Sequence, residues 1–366
     1  MSSAWKSQYL FLWVFKVGRG ICTFARTPEN FGLNVDCGGH GESSPLRRVE
    51  DLILPHLTKY SERKVAQSVI SHPHADHYHD IYRIVGWNPQ FITCPNDKDP
   101  IDGHPDERFN FDLLETTEED EPLLRVYKEC YSERSLPLQV PALGQAVPNF
   151  HYGVFYIRPP IVADDLPRAD YVNNCSIMTY MRIGRSTILL PGDMMTSGMD
   201  HALNTGCEAR LSGPKLPELA REKTIDLKAF SEWLREFGCK FLLAPHHGLE
   251  SAWPQALFDL LADAGHHVSL ALVSEKGNPG KSDGKVDSRY SSEDYVKGYS
   301  VHYDDGTSET RRAVTTRSDG HMLIAMHHTR KPIVVVSHDL DWILNNGPVA
   351  VANGEFTRAS ILVSDN

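Results

Sequence analysis

The sequence predicts a layered α/β sandwich, and three observations predict it. Apolar stretches of strand length alternate with segments of helical period. Several of the strand-like stretches end in His or Asp. These polar ends fall in three separate places: His72/His74/Asp76/His77, Asp193, and His246 with His247. Side chains scattered along a sequence, each following an apolar strand, fit a sandwich whose ligands gather along one edge.

With 366 residues and 41% hydrophobic content, the chain can bury the core of one large domain or two ordinary ones. We read residues 1–366 as a single domain, with an acidic insertion or lid at about 95–150 and a short C-terminal extension from about 340. The formal charge of -11 argues against a surface that attracts nucleic acid everywhere, so a polyanion would need a local basic patch or a metal to receive it. Seven Cys, an odd number without a C-x-x-C pair, read as reduced thiols of a cytoplasmic protein rather than a disulfide framework. The apolar run Tyr9–Phe15 is closed by Lys16-Val17-Gly18-Arg19-Gly20 rather than a cleavage site, and is read as a first core strand rather than a signal peptide. No run is long enough to cross a bilayer, so no membrane partner is expected.

Residues 8–36 read as a β-meander that ends at Asp36-Cys37-Gly38. Leu46, Val49, Leu52, Ile53 and Leu57 follow with near-helical spacing, and Pro55 kinks or ends that helix. After the strand Gln67–Ile70 and its His-rich end come a short helix at Ile81–Val85 and a strand at Gln90–Cys94. The Pro-, Asp- and Glu-rich stretch from Pro95 to about Phe150 holds one helix near Leu123–Tyr131; a plain solvated loop is the alternative to a lid. Strands then fall at Gly153–Arg158, Ser176–Ile183 and Ser186–Leu190, with a hairpin turn at Gly184-Arg185 and Asp193 beyond the last. Asp193 could also simply cap a following helix.

Residues 226–238 form the cleanest helix, with an apolar stripe of Leu227, Phe230, Trp233, Leu234 and Phe237 and a stop at Gly238. A strand, Lys240–Ala244, leads to Pro245-His246-His247-Gly248. A helix at Pro254–Ala264 and a strand at Val268–Ser274 follow. Lys276, Lys281, Lys285, Arg289 and Lys297 add positive charge, read either as a phosphate contact or as a basic surface loop. Strands at 311–316 and 321–337 precede a polar tail without a motif.

The motif His72-Pro73-His74-Ala75-Asp76-His77 is the most specific chemical signal. A strand places His72 and His74 on one face, and the turn after it can bring Asp76 and His77 into the same pocket. Imidazole with carboxylate suits Zn, Mn or, less well, Fe; calcium would demand oxygens. The bland alternative is a His-rich surface loop, given 18 His in the chain. Such a loop would require neither the Asp nor a preceding buried strand.

Taken together, H-x-H-x-D-H, a later Gly192-Asp193 after a strand and a still later His246-His247-Gly248 resemble the metallo-β-lactamase superfamily. That resemblance implies a metallo-β-lactamase-like αββα sandwich: two mixed β-sheets packed face to face with helices outside. More narrowly, the chain resembles the hydrolase domain of the DNA-uptake protein ComEC and its free-standing relatives. Lys16–Ile21 stands for that branch's D-V-G-Q-G-D-like turn, Val35–Gly38 for its I-D-x-G turn, Asn173-Asn174-Cys175-Ser176 for its N-N-x-S, and Leu190–Asp193 for its L-x-G-D. Both Asp residues of the first turn are replaced, by Lys16 and Ile21, and a later H-P turn appears as Ser288-Arg289-Tyr290-Ser291.

The resemblance implies one or two divalent cations, Zn or Mn, and hydrolysis through a metal-bound hydroxide, with paired ions about 3.5–4 Å apart. It assigns His72 and His74 to one ion, Asp76, His77 and His246 to the other, and Asp193 to a bridge. Asp36 would orient the motif from behind, and Asn173 or Asn174 stands where other members carry a third ligand. Asp76, His247, Arg289 and Tyr290 are the candidates for catalytic roles, the last three to steady a phosphate or protonate a leaving group. The implied function is a phosphodiesterase or nuclease acting on DNA. Alternatives are a small-molecule ester hydrolase, phosphorylcholine-esterase-like or lactonase-like, and a non-catalytic metal-binding effector or sensor in a larger assembly; a protein partner is not readable.

Overall fold

A computed structural model describes residues 8–18, 20–39, 44–96, 108–130, 141, 143, 150–212, 228–275 and 285–356. Arg19, Leu227, Lys276, Lys281 and much of the acidic stretch lie outside the described residues. Strands in chain order are β1 (Leu10–Val14), β2 (Cys22–Arg26), β3 (Gly32–Cys37), β4 (Val65–Val69), β5 (Phe91–Thr93), β6 (Phe150–Tyr156), β7 (Met178–Ile183), β8 (Ser186–Leu190), β9 (Glu208–Ser212), β10 (Phe241–Leu243), β11 (Leu270–Val273), β12 (Tyr299–Tyr303), β13 (Ser308–Arg311), β14 (Ala313–Thr315), β15 (His321–Met326) and β16 (Ile333–Ser337).

They form two mixed sheets. The first runs β13-β12-β16-β15-β1-β2-β3-β4-β5 and the second β14-β11-β10-β8-β7-β6-β9. The pleat of β1 shows how the layers stack. Leu10, Leu12 and Val14 face a core shared with Tyr152 and Val154 of β6, Ile188 and Leu190 of β8, and Phe241 and Leu243 of β10. Phe11, Trp13 and Phe15 face the other way, into a cluster with Leu46, Val49, Ile81 and Ile343 of the covering helices. Burial on both faces is why this strand is a continuous apolar run instead of an alternating one. On the second sheet's outer face, Met199, Phe230, Trp233 and Leu257 close a third cluster. The result is the αββα sandwich expected from the sequence.

Local rules account for the covering elements. The helix Pro45–Leu52 carries Pro at its start and gives way to a 3-10 turn, Leu54–His56, at Pro55. The helix Ala229–Phe237 stops at Gly238, whose φ of 73° only glycine adopts readily and whose N–H closes on the Leu234 carbonyl. Within the acidic stretch, Glu121–Cys130 is helical, and Tyr127 is buried with its hydroxyl donating to the Pro95 carbonyl at 2.6 Å. This part of the stretch is anchored to the core and is not a plain loop.

The expected polar tail from about 340 is corrected. Leu340–Asn353 is a helix started by Asp339, whose side chain accepts from the Trp342 N–H at 3.0 Å. Ile343, Leu344, Gly347, Ala350 and Val351 recur at helical spacing and are buried against the first sheet. Strands β9, β12 and β13 and the helix Thr196–Asn204 were not anticipated either. Among the described residues no helix is long and apolar enough to cross a membrane.

Candidate metal centre

Four strand ends build the site. β3 and β4 lie parallel and side by side in one sheet, so Asp36 and the Ser71–His77 segment leave the sandwich together. β8 and β10 are parallel neighbours in the other, so Asp193 and the His246-His247 turn emerge beside each other. The Ile177 N–H donates to the Ser71 carbonyl at 2.8 Å and so ties the two edges across the sandwich. Within the second edge, Asp193 N–H donates to Ser176 Oγ at 3.1 Å and His246 N–H donates to the Gly192 carbonyl at 3.2 Å, which holds that edge together. Gly192, with φ of 63°, lies so close to Ser71 that a side chain there would strike it.

Two groups of imidazoles and carboxylates converge: His72, His77 and Asp193, and Asp76, His77 and His247, all buried. His77 Nε2 is 3.3 Å from Asp193 Oδ1, and His72 Nε2 is 3.9 Å from Asp193 Oδ2. His247 Nε2 is 3.5 Å from Asp76 Oδ2 and 3.6 Å from Asp193 Oδ2. Bonds of about 2.1 Å to a tetrahedral ion place ligand atoms about 3.4 Å apart, close to these spacings. His77 Nε2, both Asp193 oxygens and His247 Nε2 are buried without hydrogen-bond partners. Orphaned polar atoms of this kind are costly in a protein interior and call for a ligand that takes their lone pairs.

The surrounding hydrogen bonds set the imidazole tautomers. The Asp36 carboxylate accepts from Ser71 N–H at 2.7 Å, Ser71 Oγ at 2.9 Å and His77 Nδ1 at 2.9 Å. With its one proton given to Asp36, Ser71 Oγ accepts from His72 Nδ1 at 3.1 Å. The Ser274 carbonyl can only accept, so His247 Nδ1, 2.8 Å away, is the donor. All three rings therefore turn an Nδ1–H outward and aim Nε2 at the cluster, the orientation needed for metal ligation once Nε2 carries no proton.

Without an ion the centre carries paired charge. Burial lowers the proton affinity of His77, but the Asp193 and Asp36 carboxylates outweigh it and hold its pKa well above the ordinary imidazole value. Burial raises Asp193, and His77, His247 and His72 more than reverse this, holding it well below the usual carboxylate range. For His72, burial comes first and the neighbouring His77 and His74 add to it, so its pKa falls well below normal.

The predicted residues are not equally placed. His74 lies against His72, with Nδ1 2.8 Å from His72 Nε2, and belongs to neither converging group. Of the adjacent pair, His247 rather than His246 stands in the group with Asp76, although His246 Nε2 is 3.7 Å from Asp193 Oδ2. The turn that carries them is strained: His246 and His247 have φ of 45° and 59°, followed by Gly248 at 78°. Such a conformation in non-glycine residues costs on the order of 1–3 kcal/mol each and is kept where the surroundings enforce it. Asn174 secures the loop after Asp193, accepting from Met195 N–H at 3.2 Å and donating to Ser197 Oγ at 3.1 Å. Asn173 is directed to the Met195 sulfur at 3.6 Å.

Arg289 and Tyr290 stand apart from the cluster. The Arg289 guanidinium is clamped on both oxygens of Asp287, with Nε at 3.0 Å and Nη2 at 2.5 Å, and lies 4.5 Å above the Trp253 ring. Its charge is thus already neutralised. Tyr290 is fully buried against Trp253, and burial pushes its hydroxyl pKa up. Sequence reasoning missed Ser71 and Ser274, whose backbone and hydroxyl roles have no sequence signature; a Ser directly before the first His was the available hint.

One opening lies against the centre, and a second lies beyond the His246-His247 turn. A cavity of about 300 Å³ is lined by His74, Leu113, Glu115, Arg168 and Asn173, so the described part of the acidic stretch forms one of its walls. A groove of about 900 Å³ beside the His246-His247 turn is lined by Glu250, Ser251, Lys285, Asp287 and Arg289.

No family model matches the chain, and no curated protein matches it. Among solved structures, the metallo-β-lactamase fold protein YhfI from Bacillus subtilis is similar at 15% identity, over 64% of this chain and 86% of that one, with a TM-score of 0.28. Superposition at that level leaves the functional reading to rest on the geometry of the cluster.

Proposed function

We propose that this protein is a metal-dependent hydrolase of the metallo-β-lactamase superfamily. The observation that carries the reading is the convergence of three outward-protonated imidazoles, His72, His77 and His247, on the buried carboxylate of Asp193. His72, His77 and Asp193 would hold one divalent ion, or His77 would join Asp76 and His247 instead, since its Nδ1 is engaged by Asp36 and its single Nε2 lone pair can serve only one ion. Zn or Mn suits this donor set. When bound, such ions supply the Lewis acidity that makes water a nucleophile near neutral pH. Asp36, Ser71 and Ser274 keep the rings oriented, and the walls built by β4, β8 and β10 keep bulk water from the buried face of the centre.

The substrate class we favour is a phosphodiester, with nucleic acid as the partner, on the ComEC-like order of motifs in the sequence. Among the described residues, Arg168 shares the lining of the cavity with His74 and is placed to receive the phosphodiester's charge, and Lys285 lines the groove beyond the His246-His247 turn. A small-molecule ester is the second reading, supported by the 300 Å³ cavity, which lies at the lower end of ligand-sized pockets. The test is metal analysis followed by hydrolysis of single-stranded DNA, duplex DNA, RNA and bis(p-nitrophenyl) phosphate with Zn or Mn. Asp193→Ala should abolish turnover. Undiminished cleavage by that variant would overturn the hydrolase reading, and activity confined to the small ester would overturn the nucleic-acid one.

A further inference from the structure

At the sheet edge opposite the metal centre, the first residues of β8, β10 and β11 come together, because these strands run parallel and side by side. A cavity of about 180 Å³ opens there, lined among others by Arg185, Thr187, Lys240, His266, His267 and Ser269, with no acidic residue among the described residues of its lining. In a chain of formal charge -11 this is an unusual concentration of one sign. The chain from Lys240 to His246 spans at most about 20 Å when extended, so the cavity is close to the centre in sequence yet separated from it by the length of β10.

Among the described residues, two cations line the cavity, Arg185 and Lys240, and Lys331 lies on the far side of the contact that Lys240 makes with Tyr299. The Lys240 ammonium lies 5.4 Å from the centre of the Tyr299 ring, and the Lys331 ammonium lies 5.2 Å from the same ring. Burial and then repulsion from Lys331 lower the Lys240 pKa, and no carboxylate acts against them. Among the described residues, neither Arg185, Lys240 nor Lys331 makes an ion pair with an acid. The Lys240 backbone is fixed by its N–H donating to Thr187 Oγ1 at 2.8 Å, and His266 is fixed by Nε2 donating to the Arg235 carbonyl at 3.0 Å. The cradle is therefore formed by the fold itself.

We propose that this cavity is a second, non-catalytic site that binds a tetrahedral oxyanion, a phosphate group held between Arg185 and Lys240 with Lys331 behind. Its volume is below the roughly 300–1,000 Å³ of drug-sized ligand sites and suits one small anion. Lys acts there as a point charge and Arg as a planar fork, the two means by which side chains hold phosphate. Free phosphate and the backbone phosphate of a nucleic acid present the same chemistry. This site stands independently of the hydrolase reading.

The experiment is calorimetric titration of inorganic phosphate into the full-length, metal-stripped protein at 0.15 M chloride. Stripping keeps the metal centre from contributing. Saturable one-site binding is expected, weakened at least tenfold in Lys240→Gln and severalfold in Arg185→Gln, whose position on an exposed hairpin turn leaves folding intact. Phosphate binding that is absent, or unchanged in both variants, overturns the proposal. Competition by a twelve-nucleotide single strand identifies backbone phosphate as the source, and failure to compete identifies free phosphate; both outcomes require the binding to have been found.

Discussion

The Asp36 carboxylate accepts a hydrogen bond from His77 Nδ1 at 2.9 Å and, through Ser71, also sets the orientation of His72. One residue at the end of β3 thus controls two imidazoles of the next strand's loop. Asp36→Asn should keep the fold but lower metal affinity by about 10–100-fold, the usual effect of removing a ligand's supporting partner. Metal titration of wild type and variant checks this. Equal affinities would show that the rings are oriented by packing alone.

His247 and His246 separate by the same method. His247→Ala should remove one equivalent of bound metal, because its Nε2 faces both Asp76 and Asp193. His246→Ala should retain the full metal content. Elemental analysis of the two purified variants decides between them, and loss of metal only in His246→Ala would reverse the assignment.

The backbone of Asp76 is held by glycine. A side chain on Gly20, where φ is 93°, would collide with the Asp76 carbonyl, whereas one on Gly18, where φ is 76°, meets nothing. Both substitutions to Ala carry the strain of a left-handed residue, about 1–2 kcal/mol. Gly20→Ala should cost more, on the order of 2–4 kcal/mol in total, and reduce metal binding. Denaturant unfolding of the pair, with metal content measured alongside, isolates the close approach from the backbone strain.

Metal and proton compete for His77. Its carboxylate neighbours raise its pKa against the effect of burial, so in the metal-free protein the proton must leave before Nε2 can ligate. The folded pKa exceeds the ordinary 6.5, so protonated His77 stabilises the metal-free protein below that pH, and the contribution fades as pH rises through the folded value. Metal binding strengthens over the same interval, by up to about tenfold per pH unit for each proton displaced. The Tm difference between loaded and stripped protein should therefore widen from pH 6 to pH 8. A difference that narrows would contradict the protonated state of His77.

The closing helix is a core element, so truncating it matters. Leu344 is fully buried against the first sheet, and Leu344→Ala should destabilise the protein by about 2–5 kcal/mol. Chemical denaturation measures this, and a loss below about 0.5 kcal/mol would restore the view of residues beyond 340 as a tail.

The sequence by itself determined the sandwich class and the places where chemistry gathers. Continuous apolar runs such as Leu10–Val14 can satisfy both faces only between layers, and polar residues directly after such strands have to lie at a sheet edge. For that reason Asp36, His72, Asp76, His77 and Asp193 could be marked as candidates, and the fold brings their side chains together. Tertiary structure alone decided the rest. Whether His246 or His247 faces Asp76 depends on two successive left-handed residues, which reverse the direction of adjacent side chains and leave no trace in the order of residues. The charge on Arg289 was visible, but its neutralisation by Asp287 two residues earlier depends on a local turn. The outward protons on His72, His77 and His247 depend on a carboxylate, a hydroxyl and a carbonyl that only folding brings to the rings. Sequence marks which groups can ligate; geometry decides which lone pairs are left to do so.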